Sequence, residues 1–238
     1  MRKIISHLLI FIFSISILQA NKLAKKAVPR DLPPGLRKTK IENVKIRKLA
    51  KPVAKGDTTF YIRENLNEVY DPTLEEVAFY KKYSGDLINV FVEVAEYDSG
   101  RVSDADVDSI VDRMVNRTPK GSINPDKGIY ANEIDIVGDP PDVDNNGKLN
   151  VLLIDARDGY DEESSDSYVA GYFDPLDQRP GTGNYSDTIY IDTHPADVTS
   201  NHVHTVVAHE LQHLIHYNYD PNETDWLNEG MSVLIPKI

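Results

Sequence analysis

One short segment of this 238-residue chain has to satisfy two patterns at once. Val203, Val206, Val207, Leu211, Leu214 and Ile215 recur at helical spacing and form an apolar stripe. On the same helix His209 and His213 stand four residues apart, one above the other, so both imidazoles can reach a single metal ion. The segment must therefore be an amphipathic helix that buries one side and offers His209, Glu210 and His213 on another. An accidental His-Glu-x-x-His match in a chain of this composition has odds of about one in a hundred. A solvated amphipathic helix and a non-catalytic zinc site are the competing readings.

Downstream, Trp226-Leu227-Asn228-Glu229-Gly230 supplies a further carboxylate, with fifteen residues separating His213 from Glu229. Two histidines and one glutamate make a recognised zinc set for chemistry, because three protein ligands leave the fourth position to water. Glu229 is the third ligand on this reading. Glu210, between the histidines, points at that water and suits the role of general base.

The run Val206-Val207-Ala208-His209-Glu210-Leu211-Gln212-His213-Leu214-Ile215, followed by Trp226-Leu227-Asn228-Glu229-Gly230-Met231-Ser232, resembles the gluzincin zinc metallopeptidases of the thermolysin clan. Among them it is most similar to the hyicolysin-like secreted bacterial group. The resemblance extends over roughly Leu87 to Leu234 and is specific around the zinc motif. It implies an α+β fold, a zincin-like N-terminal lobe with a mixed sheet and an active-site helix. It also implies a following helical lobe that contributes a His or Tyr to oxyanion stabilisation. Only nine residues follow Glu229, so this C-terminal helical lobe is expected to be largely missing.

The start of the chain reads differently. Arg2 and Lys3, the mostly apolar run Ile4 to Leu18 and Leu18-Gln19-Ala20 give residues 1–20 the form of an export signal peptide, too short for a membrane span. Residues 21–59 are a basic, proline-containing lead segment or propeptide, and residues 60–238 the zincin-like metallopeptidase domain. From Asn21 to Phe60, 12 Lys or Arg face three acids; from Tyr61 onward 12 face 35. That acidic remainder and the exported location argue against a nucleic-acid partner for the basic stretch. There is no cysteine, so an exported chain of this kind is stabilised without disulfides, for which bound cations are a common substitute.

Periodicity predicts strands at Leu87 to Ala95 (half-buried), Leu149 to Ile154, Tyr168 to Phe173 and Thr188 to Ile191, with a helix from Asp104 to Arg117. Thr73 to Tyr83 reads as weakly helical. Thr188 to Ile191 is the expected exposed edge on which an extended peptide would pair. Asp142, Asp144, Asn146 and Asn150 alternate around Gly147 as oxygen ligands do in a calcium loop, although Leu153 replaces the closing carboxylate. A plain Asp/Asn/Gly turn is the alternative. Asp158 to Asp166 reads as a solvated loop, His202 and His216 as end-of-helix residues near the metal face, and His204 as lying on the far side. Tyr217 and Tyr219 are within reach of a cleft.

These features lead to a secreted zinc-dependent endopeptidase, with Zn2+ on His209, His213 and Glu229, Glu210 as base, possible Ca2+, and a peptide or protein as substrate. The alternative is an exported metal-binding or interaction protein that keeps the zinc site without turnover. A third reading takes the basic stretch as an adhesive tail for acidic polymers.

Overall fold

The computed structural model describes residues 27–30, 32, 44–48 and 56–235. The expected signal peptide, part of the lead segment and Pro236 lie outside the described residues. In chain order the strands are β1 (Val28–Pro29), β2 (Lys45–Arg47), β3 (Thr58–Arg63), β4 (Thr73–Ser84), β5 (Ile88–Glu93), β6 (Leu149–Ile154), β7 (Ser167–Tyr168), β8 (Gly171–Phe173) and β9 (Thr188–Asp192). The α-helices are α1 (Val94–Asp98), α2 (Asp104–Val111), α3 (Ile129–Val137), α4 (Asn201–Tyr219) and α5 (Asp225–Leu234). A π-helical turn, Asp112–Asn116, extends α2, and a 3-10 turn occupies Pro175–Gln178. No helix among the described residues is long and apolar enough to cross a membrane.

Seven strands form one mixed sheet in the order β2-β4-β5-β6-β9-β8, with β3 also on β4. β5, β6 and β9 run parallel to one another, while β8 closes the end antiparallel to β9. Every residue of β5, β6 and β9 is buried. Strands covered on both faces read as near-continuous apolar runs, which corrects the half-buried expectation for Leu87 to Ala95.

Alternation then divides the core. Val90, Val92, Val151, Leu153, Ile189 and Ile191 point to the face covered by α2, α3 and α4. Phe91, Leu152, Ile154, Tyr172 and Tyr190 point to the other, against Ile62, Leu66 and Phe79. There Phe60 packs edge-on against Phe79 and Phe91, with centroids 5.3 and 4.8 Å apart, and Tyr172 stacks on Tyr190 at 4.4 Å.

Three expectations change. Thr73 to Tyr83 is a strand, not a helix: β4 pairs with β3 and β2 along its first half and with β5 along its second. Tyr168 to Phe173 is two strands, since Tyr168 pairs with Pro29 of β1 while Gly171 crosses to the main sheet. Thr188 to Ile191 is not an edge, because β9 lies between β6 and β8; the strand at the end of the sheet is β8. The lead segment also packs onto the body at β1, at buried Leu32 and at β2, and its expected boundary at residue 59 falls within β3.

Buried ion pairs supply the long-range ties that a cysteine-free chain lacks. Arg63 on β3 grips Asp174 with two bonds, Nε to Oδ2 at 2.6 Å and Nη2 to Oδ1 at 3.0 Å. Arg157 grips Glu93 with two bonds of 2.8 Å and reaches Glu75 at 2.9 Å. The bidentate fork fixes geometry as well as charge.

Asp192, at the end of β9, organises the turn into α4. Its carboxyl accepts from the backbone N–H groups of Ala156, His194 and Ala196 at 2.9, 3.1 and 3.2 Å. Burial outweighs these donors and pushes its pKa up to about 8. The folded protein thus holds a proton that the unfolded chain, with a pKa of about 3.9, releases; this stabilisation is present in acid and declines as pH rises from about 4 towards 8. Asp192→Asn, uncharged throughout, escapes that decline. Its urea midpoint relative to the native protein is expected to rise between about pH 5 and about pH 9, which denaturation at both values measures.

Candidate metal centre

The helix that carries the histidines begins at Ser200, whose hydroxyl accepts from the Val203 N–H at 3.2 Å and satisfies one open donor of the first turn. Val203, Val207, Leu211, Leu214 and Ile215 are buried against β8, β9 and the neighbouring helices. The approach is close at Gly171, where a Cβ would stand 2.7 Å from Val206 Cγ1 and 2.9 Å from the Tyr190 carbonyl oxygen. Glycine on the end strand is what lets the helix settle there.

With the apolar stripe seated, His209 and His213 project together. Their Nε2 atoms are 3.0 Å apart. Helix α5 returns alongside and brings Glu229 Oε2 to 3.5 Å from His209 Nε2 and 3.7 Å from His213 Nε2. A tetrahedral zinc with bonds of about 2.0–2.1 Å separates its ligand atoms by about 3.3–3.4 Å, a spacing these three edges straddle. The donor set therefore fits zinc. It is the one group of three or more His, Cys, Asp or Glu ligand atoms gathered this closely among the described residues.

Exposure differs across the set in a useful way. The His213 side chain is fully buried, that of His209 17% exposed and that of Glu229 34% exposed, so the cluster opens on one side. Glu210 is buried beside it, with Oε1 4.0 Å from His209 Nε2. His213 is held by a second interaction: its Nδ1–H donates to Asn228 Oδ1 at 2.9 Å, which fixes the ring and leaves Nε2 with its lone pair. The sequence reading did not single out Asn228, although it lies within the Leu-Asn-Glu-Gly phrase.

Other expected site residues go elsewhere. In the 142–150 loop Asp142 Oδ1 accepts from the Gly147 N–H at 2.8 Å and Asn146 Oδ1 from the Lys148 N–H at 2.7 Å. Asp144 accepts from the Asn146 backbone N–H and side-chain amide. Asn150 is buried in the sheet and accepts from Asn89 Nδ2 at 3.0 Å. These oxygens take backbone and amide donors in a turn that leads into β6. Asp158 is not solvated but buried, taking the N–H groups of Tyr160 and Val169, whereas Asp161 to Glu163 are exposed as expected. Tyr217 packs on Phe173, and Tyr219 accepts from the Asp139 N–H at 3.0 Å. His204 is buried between helices, where desolvation lowers its pKa to about 4.

Asn228→Ala removes the partner of His213 and is expected to weaken zinc binding by about ten- to a hundredfold, read by competition with a chromophoric chelator. No family model matches the chain. Over 88 residues it is 35% identical to the neutral metalloprotease ShpI of Staphylococcus hyicus, a match that covers 34% of this chain. It spans only 20% of that metalloprotease's length.

Proposed function

We propose that this chain carries the metal-binding part of an exported zinc-dependent endopeptidase, with His209, His213 and Glu229 as ligands and Glu210 as general base. The reading rests on one observation above all: three donor atoms separated by 3.0, 3.5 and 3.7 Å, on one open side of a buried helix. The partial likeness to a metalloprotease supports the same class. Export rests on the form of residues 1–20.

Zinc bound there supplies Lewis acidity, which acidifies a water and polarises a carbonyl. The work of this chain is to hold and move protons around that centre. Glu210 accepts the proton of the attacking water as the new C–O bond forms, then passes it to the amine nitrogen as the C–N bond breaks. Asn228 positions the His213 ring. The substrate is a peptide or protein.

Glu210→Gln keeps the shape of the side chain and loses the base. The variant is expected to retain one zinc per chain by elemental analysis while casein hydrolysis falls by about a hundred- to ten-thousandfold. Equal proteolysis by the variant overturns the assignment. Stoichiometric zinc with no hydrolysis by the native chain, chelated or reloaded, favours instead an exported metal-binding protein.

A further inference from the structure

A second feature of α4 lies about a quarter turn around the helix from the ligands. At 100° per residue Asn201, His204, Thr205 and Ala208 share one face, and His209 and His213 another. The first face lines a cavity of about 80 Å³, closed by α3, the π-helical turn and Ile235 beyond α5. Ile129, Ile136 and Ala208 make much of its wall apolar. Glu133 of α3 also lines this cavity. It is 2% exposed, and neither carboxyl oxygen has a hydrogen-bond partner.

That arrangement is costly without a ligand. A buried carboxyl with no donor forfeits its hydration and receives nothing in return. Two neighbours on the cavity wall repeat the deficit, since Asn132 Oδ1 and His204 Nδ1 are buried with no partner. His204 Nε2 faces Ser109 Oγ at 3.5 Å, and Nδ1 on the other side of the ring has no partner. Unpartnered buried polar atoms thus gather on this one wall. Arg113 lines the same cavity, yet its guanidinium makes no bond to Glu133. Burial pushes the Glu133 carboxyl well up, so an arriving cation finds a group that it can ionise.

We propose that this cavity is a binding site for a guanidinium or ammonium group carried on a small apolar body, with Glu133 as its anchor. Mostly apolar walls with a few placed polar groups are the make-up of small-ligand sites, and a space of about 80 Å³ admits a small head group on a short stem. The cation would donate to both Glu133 oxygens as a fork, and the apolar stem would lie on Ile129, Ile136 and Ala208. The site does not depend on the metal centre being catalytic.

The test titrates the full chain with n-butylguanidinium by calorimetry, using uncharged n-butylurea as the isosteric comparison. Saturable binding at one site, at least tenfold tighter for the cation, is expected. Glu133→Gln should remove that tenfold preference, and Ala208→Leu, which adds bulk to the cavity wall and keeps the carboxyl, should abolish binding. Wild-type protein that binds neither probe, or Glu133→Gln protein that keeps the preference for the cation, overturns the proposal. So does cation binding that appears only in Arg113→Gln, because Glu133 would then be served by Arg113 itself.

Discussion

One helix carries two surfaces that cannot be satisfied independently. The stripe from Val203 to Ile215 has to sit down on β8 and β9, and only when it does are the imidazoles of His209 and His213 turned to the same side, 3.0 Å apart. The rotation of α4 about its own axis is thus set by apolar packing, and the metal centre inherits it. Close-packed interiors resist small rotations, because each buried side chain occupies a volume matched to its neighbours. Gly171 sharpens this, since the absence of a side chain on the end strand removes the one bulk that would hold the helix away.

Ion pairs tie distant parts of the sheet beneath it together. Arg63 and Asp174 join β3 to the segment that follows β8, and Arg157 joins the end of β6 to Glu93 and Glu75 on β5 and β4. In a protein without cysteine these pairs act at the distances where disulfides would otherwise be found. Buried pairs contribute less net stability than their Coulomb attraction implies, because both partners lose hydration. Their forked geometry specifies register, which matters for a sheet that mixes parallel and antiparallel strands. Asp192 does similar work with backbone donors, and joins the end of β9 to the turn that launches α4.

How much of this was legible in the sequence depends on range. The helix and the grouping of His209, His213 and Glu229 were, because the two histidines stand about one turn apart and Glu229 lies in a recognisable phrase. The reading of Thr73 to Tyr83 failed because Glu75, Glu76, Ala78, Lys81 and Lys82 favour helices, and pairing along both edges of β4 overrides that weak preference. Spatial order was hidden altogether: β8 precedes β9 in the chain, yet β9 inserts between β6 and β8, so the edge was assigned to the wrong strand. Asn150 alternates with the loop acids, but the first residues of a buried strand obey the pleat, and its amide pairs with Asn89. Helix α3 passed unnoticed, although Ile129, Glu133, Ile134 and Val137 have helical spacing.

Helix α5 gives Glu229 an unusual footing. It leaves Trp226, Val233 and Leu234 exposed, and Asn228 and Glu229 face the histidines of α4. An ion shared between the two helices, as proposed, would be a clasp across a segment otherwise weakly secured. By reciprocity, whatever free energy such an ion lent to the order of α5, the order of α5 would lend back to the retention of the ion. Release of the ion and local opening of this helix would then be one event, and its dissociation rate a clock for the fraying of α5.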